Sequence, residues 1–217
     1  TLRDGQLSLW ATGMRTGMIV PIASQMDQAG FIAAELISTA FFKKAVRELR
    51  EDLWERVRLV SQRMPRTPLR IICGMRSGFQ LLPTSVFTLL MERCAANGIR
   101  QTRLSDPANT MSSLAQAVRI SRNAVVEPIA NIIFSISPKH TDEYYAKRAR
   151  EAASLDVTHL CLKDPGGLLT PERTRALVPV LLRNSNGKLA EIHTHCTTGL
   201  GPLCLLEAIR LVPYESG

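Results

Sequence analysis

The sequence has few aromatic residues and no long apolar run. Aromatic side chains make up only 5% of the 217 residues, although the hydrophobic fraction of 45% is ordinary for a globular protein. A membrane-spanning helix needs roughly 20 consecutive apolar residues, and no stretch of the chain approaches that length, so we expect no membrane span. There is no signal-peptide pattern, but the chain opens without an initiator Met, and we expect its natural start to be missing.

The cysteines follow no pattern. The five cysteines are odd in number, and no C-x-x-C motif occurs among them. This usage favours reduced thiols in a cytoplasmic protein over a disulfide framework. The five are Cys73, Cys94, Cys161, Cys196 and Cys204.

The formal net charge of +8 is the feature that suggests a nucleic-acid partner. The basic residues are interleaved with Glu and Asp along predicted helices, as at residues 43–63 and 147–150, which is typical of solvated helix surfaces. No nucleic-acid-binding motif occurs, and aromatics are few. We therefore expect no nucleic-acid partner.

Short apolar runs alternate with longer amphipathic stretches, about every thirty residues. This alternation predicts a parallel sheet with helical crossovers. The predicted strands are residues 1–4, 31–37, 69–73, 99–104, 125–134, 157–163 and 189–195. The predicted helices are residues 16–29, about 40–64 with Asp52 as a cap, 85–97 closed by Gly98, 110–123, 141–155, 170–182 and 200–211.

Seven strand-helix units favour a (β/α)8 barrel, the TIM barrel, over a doubly wound open sheet. The open sheet lacks support because no G-x-G-x-x-G follows the first predicted strand, and residues 74–78 do not form a P-loop. A barrel needs eight strands and typically about 250 residues. We therefore expect residues 1–217 to be one barrel domain that is truncated at both ends and lacks its eighth strand.

A His-x-His pair ends the last predicted strand. Residues two apart share a face of a strand, so His193 and His195 are close enough to hold one ion. Two histidines rarely complete a metal site, so we expect an anionic ligand as well. The two candidate stretches for it are the one with Asp4 and the one with Lys163–Asp164. A surface histidine pair is the alternative. The barrel interpretation favours the metal site, because catalytic groups gather at the C-terminal ends of barrel strands. The residues at predicted strand ends are Asp4, Cys73, Asp106, Lys163, His193 and His195.

Several motifs together resemble the biotin-dependent carboxyltransferase barrels of pyruvate carboxylase, the oxaloacetate decarboxylase alpha chain and the transcarboxylase large subunit. The resemblance runs from Thr1 to about Leu211. The same metal-dependent superfamily includes hydroxymethylglutaryl-CoA lyase, whose R-D-G-x-Q opening is partly matched at residues 3–6. The motifs that carry the resemblance are residues 1–4, 8–16, 51–56, 96–99, 136–145, 163–169 and 193–195.

The resemblance implies a divalent metal, Zn, Mn or Co, on Asp4, Lys163, His193 and His195. An ammonium group has no lone pair to give a metal. In the family this lysine is carbamylated by carbon dioxide, which makes it an anionic oxygen ligand. The alternative is that Lys163 pairs with Asp164 or Asp106 as an ordinary cation.

The reaction that the resemblance implies is carboxyl transfer between carboxybiotin and pyruvate, or the reverse decarboxylation of oxaloacetate. The metal would polarise the 2-oxo acid and stabilise its enolate, and Arg3 would orient Asp4 or the substrate anion. Biotin would arrive on a separate carrier domain or protein, because the chain has no A-M-K-M biotinylation motif. We also expect a homo-oligomer.

The chain departs from the family where the family contacts its substrate. Leu7 stands where the family has a substrate-touching glutamine, and Cys73 stands where the family has the arginine that binds the substrate carboxylate. Arg76, three residues further on, is the candidate replacement. These departures predict weak activity on pyruvate or oxaloacetate. They also leave open a biotin-independent lyase of the hydroxymethylglutaryl-CoA lyase type, or a non-catalytic barrel scaffold.

Overall fold

The long strands of the protein are parallel and alternate with helices. The structure, a computed structural model, describes residues 2–77 and 80–212. It divides into two compact units: the first comprises the chain up to Leu104 together with Arg119–Pro128, and the second comprises Ser105–Val118 and the chain from Ile129. No helix within the described ranges is both long and apolar enough to cross a membrane.

The first unit contains three long strands and a short hairpin. Its strands are β1 (Ala34–Ser38), β2 (Leu69–Cys73), β3 (Arg76–Ser77), β4 (Gln80–Leu81) and β5 (Ile99–Leu104). The long strands β1, β2 and β5 are parallel and adjacent in that order, whereas β3 and β4 pair antiparallel. The helices are α1 (Asp4–Trp10), α2 (Thr16–Gln28), α3 (Phe41–Lys44) with a π-helical turn over Ala45–Leu49, α4 (Leu53–Arg63) and α5 (Thr84–Asn97).

Sequence-local signals set the ends of α4 and α5. The Asp52 side chain caps α4 by accepting from the backbone N–H of Trp54 at 2.8 Å. Gly98 ends α5 with a positive φ of 108°, and a Cβ at this position would lie 2.7 Å from the Ser61 side chain. Only glycine adopts this conformation in this space. The predicted cap and the predicted helix end are confirmed.

The second unit is built around three more parallel strands. They are β6 (Glu127–Ile133, whose first two residues belong to the first unit), β7 (His159–Asp164) and β8 (Leu189–Thr194), adjacent in that order. The helices are α6 (Met111–Asn123), which crosses the division between the units, α7 (Asp142–Ala153), α8 (Pro171–Arg183) and α9 (Gly201–Leu211). Thr141 and Thr170 cap α7 and α8, as predicted, by accepting from Tyr144 and Arg173 N–H.

Two predictions about local structure are wrong. Leu2 and Arg3 form a turn and Asp4 begins helix α1, so the predicted strand over residues 1–4 is replaced by a helix start (Thr1 lies outside the described residues). A short apolar run has no periodicity of its own, and a carboxylate in the first turn suits the helix dipole. The predicted helix over residues 40–64 is interrupted at Arg50, which has a positive φ of 54°.

The fold class is confirmed as α/β, with six parallel strands in the described part of the chain, three in each unit. The full (β/α)8 barrel stays a prediction. Residues 74–78, which do not form a P-loop, include strand β3, which pairs antiparallel with β4; Gly78 itself lies outside the described residues.

Candidate functional site

Strands β7 and β8 bring Lys163 beside the histidine pair. Lys163 lies directly opposite His193 in the parallel register, so both side chains leave the sheet on the same face. The rings of His193 and His195 are 5.2 Å apart between centroids, and a nitrogen of one lies within 4.8 Å of a nitrogen of the other. His195 follows the last residue of β8, where its backbone N–H donates to the Asp164 carbonyl at 3.0 Å. This bond keeps the two imidazoles on one side.

Burial differs along this cluster. Lys163 is 8% exposed, His193 is half-buried and His195 is exposed. The cluster therefore runs from a buried amine to an accessible imidazole. Two imidazoles at this separation are able to bind one ion together, since metal–nitrogen bonds are near 2 Å.

Asp164, the neighbour of Lys163, points to the opposite face and has a structural role. It is fully buried, and its carboxylate accepts from the N–H groups of Leu168 and Leu169 at 2.9 and 3.0 Å and from the Thr194 hydroxyl at 2.9 Å. Two residues adjacent in sequence thus have separate tasks, because a strand alternates its side chains.

The loop that Asp164 holds lies tightly against the segment after β8. At Gly167, with a positive φ of 63°, a Cβ would lie 2.2 Å from the backbone nitrogen of Thr197. The Thr198 hydroxyl donates to the Gly167 carbonyl at 3.0 Å. The K-D-x-x-G motif therefore fixes the end of β7, which carries Lys163, against the segment that follows His195.

Arg3 and Asp4 belong to a second cluster, in the first unit. Arg3 is 4% exposed; its Nη1 donates to Asp4, and its Nε donates to Glu35 Oε2 at 2.8 Å. Arg103 Nη1 donates to the other oxygen of Glu35 at 2.7 Å. The orienting role of Arg3 and the role of Asp4 as a metal ligand both stay predictions.

Sequence reasoning did not find Glu35 or Arg103. Burial would raise the pKa of the Glu35 carboxyl, but the adjacent Arg103 and Arg3 outweigh it and lower that pKa to about 2. The available signal was a charged residue inside each of two predicted strands, residues 31–37, which are otherwise apolar, and residues 99–104, which are mostly polar. A buried charge needs a partner, but the sequence does not say which.

We expect the ionised Glu35 to stabilise the fold at neutral pH and to lose that effect in acid. Its pKa is about 2 in the folded protein and 4.5 for an ordinary Glu, so the contribution is complete above about pH 4.5 and is lost as the pH falls through 2. The unfolding free energy of the wild type should fall between pH 5 and pH 3.5, and in Glu35→Gln this fall should be smaller by about 1 kcal/mol. Urea unfolding at the two pH values measures it. Glu48→Gln, an exposed carboxylate paired with Lys44, is the control and should leave the loss unchanged.

Gln6 and Arg76 are the polar residues near the two altered substrate contacts, and Arg76 is the predicted replacement. Gln6, beside Leu7, is 3% exposed; its amide donates to the Leu2 carbonyl at 2.7 Å and accepts from Met14 N–H at 3.1 Å. Its hydrogen bonds are thus made within the first unit, and it does not replace the glutamine missing at Leu7. Arg76 begins the β3–β4 hairpin with an exposed side chain, and its role as a carboxylate-binding group stays a prediction.

Cys73 lies on the face of β2 opposite to Arg70. Its sulfur contacts the Thr102 hydroxyl of β5 at 3.2 Å. Arg70 donates to the side chain of Gln101, which precedes Thr102 and therefore lies on the opposite face of β5. Burial raises the pKa of the Cys73 thiol to about 12, and burial together with nearby Cys73 raises the pKa of Cys94 on helix α5. Cys73 therefore lies on the face of β2 that packs towards helix α5.

Consequently, we expect Cys73→Arg to destabilise the protein rather than restore an arginine to the pocket. The variant would bury a cation in an apolar layer, at a cost of about 4 kcal/mol or more in unfolding free energy. Thermal and urea unfolding measure this, with Cys73→Ala as the control, which should cost about 1 kcal/mol. A Cys73→Arg protein as stable as wild type would contradict the assignment of the face.

The fold and these clusters define an α/β protein of parallel strands with a histidine pair and a buried lysine at adjacent strand ends. No family model matches the chain. It is 34% identical over 212 residues to a pyruvate carboxylase subunit of Methanocaldococcus jannaschii, covering 97% of this chain and 37% of the relative. It is 29% identical over 213 residues to the methylmalonyl-CoA carboxyltransferase 5S subunit of Propionibacterium freudenreichii subsp. shermanii, covering 96% and 42%.

Solved structures give the same result. The carboxyl transferase domain of Rhizobium etli pyruvate carboxylase, solved with pyruvate and biocytin, superposes with a TM-score of 0.90 at 28% identity, over 97% of this chain and 37% of that one. The chain belongs to the biotin-dependent carboxyltransferase family. It spans 37% and 42% of the length of the two curated relatives.

Proposed function

We propose that the chain is part of a carboxyltransferase that moves a carboxyl group between carboxybiotin and a small 2-oxo acid of the pyruvate or oxaloacetate type. The observation that carries the proposal is the register of Lys163 beside His193, with His195 on the same side, in a chain of this family. A related domain solved with pyruvate and biocytin supports the substrate class and the biotin partner.

The residues present fit a divalent metal site. His193 and His195 offer neutral imidazole nitrogens within 4.8 Å of each other, and imidazole suits Zn, Mn and Co. In the proposal, Asp4 and a carbamylated Lys163 supply the two negative charges that balance the ion. Lys163 is mostly buried, on the histidine face, and its neighbour Asp164 is occupied on the other face by three donors. This arrangement favours the carbamate over a Lys163–Asp164 ion pair.

Each residue has a defined task in this proposal. A bound ion would supply a Lewis acid that stabilises negative charge on the oxygen of the 2-oxo acid. His193 and His195 hold the ion from adjacent positions on one face, and Arg3 fixes the Asp4 carboxylate. Arg76, exposed on the hairpin, presents a guanidinium that is suited to a substrate carboxylate. Biotin comes from a separate carrier domain or protein. The homo-oligomer and the cytoplasmic location stay predictions.

The test is steady-state decarboxylation of oxaloacetate by the full chain, with and without free biotin and with added Zn²⁺ or Mn²⁺. We expect slow turnover that biotin increases and that a chelator removes. Turnover that neither biotin nor avidin changes would favour the lyase alternative. The observations that support that alternative are Leu7 and the hydrogen bonds of Gln6 to Leu2 and Met14. Absence of both turnover and bound metal would favour a scaffold.

A further inference from the structure

The chain contains two Asn-Gly pairs, and they lie in different surroundings. One is Asn97–Gly98, at the end of helix α5, and the other is Asn186–Gly187, in the turn before strand β8. In such a pair the backbone nitrogen of the glycine is able to attack the side-chain amide of the asparagine, because glycine has no Cβ to shield that nitrogen. The reaction therefore depends on how firmly the amide and the glycine nitrogen are held.

The Asn97–Gly98 pair is held by three hydrogen bonds. The Asn97 amide group donates to the Arg93 carbonyl at 2.7 Å, and its oxygen accepts from Nη1 of Arg58 at 2.6 Å. The Gly98 N–H donates to the Ala95 carbonyl at 3.2 Å. Both the group that would be attacked and the nitrogen that would attack it are therefore fixed.

The Asn186–Gly187 pair is exposed and forms the centre of a tight turn. Both residues have positive φ, 53° and 73°, and one bond closes the turn, from Lys188 N–H to the Ser185 carbonyl at 3.1 Å. Positive φ at both central residues is typical of a type I′ turn, for which Asn-Gly is a preferred sequence. In the described part of the chain, neither the Asn186 amide nor the Gly187 N–H makes a hydrogen bond.

We propose that Asn186 is a site of spontaneous deamidation in the folded protein, whereas Asn97 is protected from it. The Gly187 nitrogen gives up its proton and bonds to Cγ of Asn186. The Cγ–Nδ2 bond breaks, and the amide nitrogen takes up that proton and leaves as ammonia. Water then opens the cyclic imide at either of its carbonyl carbons, which yields aspartate, or isoaspartate with the main chain running through the side chain. No oxidant or reductant takes part.

Deamidation at residue 186 would act where the chain enters β8. Either product adds one negative charge to the turn, and isoaspartate also adds one atom to the main chain there. Lys188 anchors this entry, because its Nζ donates to the Val157 carbonyl at 2.8 Å, and Leu189 then pairs with His159 of β7. The modification therefore alters the connection that leads into the strand with the histidine pair.

The experiment follows deamidation of the full chain during incubation at mildly alkaline pH, by mass spectrometry of tryptic peptides. Trypsin cleaves after Lys and Arg, so the two pairs fall on separate peptides, residues 94–100 and 184–188. Each hydrogen bond that must open lowers the reactive population by roughly five-fold. With three bonds at one pair and at most one at the other, we expect Asn186 to deamidate roughly 25- to 100-fold faster than Asn97. Fragment ions distinguish Asn186 from Asn184 on the same peptide.

The same incubation in concentrated urea is the reference, and there the two rates should become similar, because the hydrogen bonds that distinguish the pairs are gone. Arg58→Ala removes one bond to Asn97, and since the Arg58 side chain is 49% exposed, the fold should tolerate the change. Deamidation of Asn97 should then be about five-fold faster, and that of Asn186 unchanged. Arg63→Ala, an exposed arginine on the same helix, is the matched control and should change neither rate.

Three results would overturn the proposal. One is equal deamidation of the two pairs in the folded chain. Another is an Asn186 that stays intact in the folded chain while the unfolded chain reacts. The third is a difference between the pairs that persists unchanged in urea, which would assign it to the neighbouring residues and not to the fold. If Arg58→Ala does not fold, the comparison of the two pairs in wild type, folded and in urea, decides the matter.

Discussion

Replacing His195 with Ala is expected to remove metal retention, whereas His159→Ala is expected to leave it largely unchanged. His195 and His193 lie on one side with their rings 5.2 Å apart, so removing either leaves a single imidazole. His159 begins β7, four residues before Lys163. At about 3.3 Å per residue it lies roughly 13 Å from that end of the strand, and its Nδ1 contacts the Thr158 hydroxyl at 2.9 Å.

The magnitude should be large for His195→Ala. Loss of an outer partner of a metal ligand typically costs 10- to 100-fold in affinity, so loss of a ligand itself should exceed about 100-fold. Metal content of the purified variants, measured after dialysis against a weak chelator, decides it. An equal loss of metal in both variants would mean that the substitutions act through folding. Full metal retention in His195→Ala would contradict the assignment of the histidine pair as metal ligands.

The second large effect is expected for Lys163. Lys163→Met keeps the length of the side chain but cannot form a carbamate, so both metal retention and decarboxylation should fall more than about 100-fold. Lys147→Met, on the exposed surface of α7, is the control and should change neither. Metal affinity and oxaloacetate turnover are measured for both variants.

Carbon dioxide separates a carbamate from an ordinary buried amine. If Lys163 is carbamylated, the metal affinity of the wild type should fall in buffers stripped of carbon dioxide and recover when bicarbonate is added. Lys163→Met should not respond to bicarbonate. If the metal affinity of the wild type also did not respond to bicarbonate, Lys163 would act as an ordinary cation, the alternative given in the sequence analysis.

The altered substrate contacts all belong to the first unit. Gln6 is bonded within the first unit, and Cys73 packs towards α5. Neither therefore replaces the family's substrate-binding groups. Arg76 is the remaining candidate, and its role as a carboxylate-binding group stays a prediction.

The sequence by itself determined the features that depend on short-range pattern. Strands β2 and β5 coincide with their predicted ranges, because turn or cap residues bound each of them. The shared side of His193 and His195 followed from a spacing of two residues in a strand. The motifs of the family, K-D-x-x-G and H-x-H among them, were readable without any coordinates.

The tertiary structure alone decided which distant groups meet and which face each residue takes. Alternation separates Lys163 from Asp164, but only the register of β7 against β8 puts Lys163 beside His193. Glu35 lies 32 residues from Arg3 and 68 from Arg103, and their meeting depends on the pairing of β1, β2 and β5 and on the turn before α1. Local pattern fixes the period of side chains along one strand, whereas the register between strands is fixed by the packing of the whole fold.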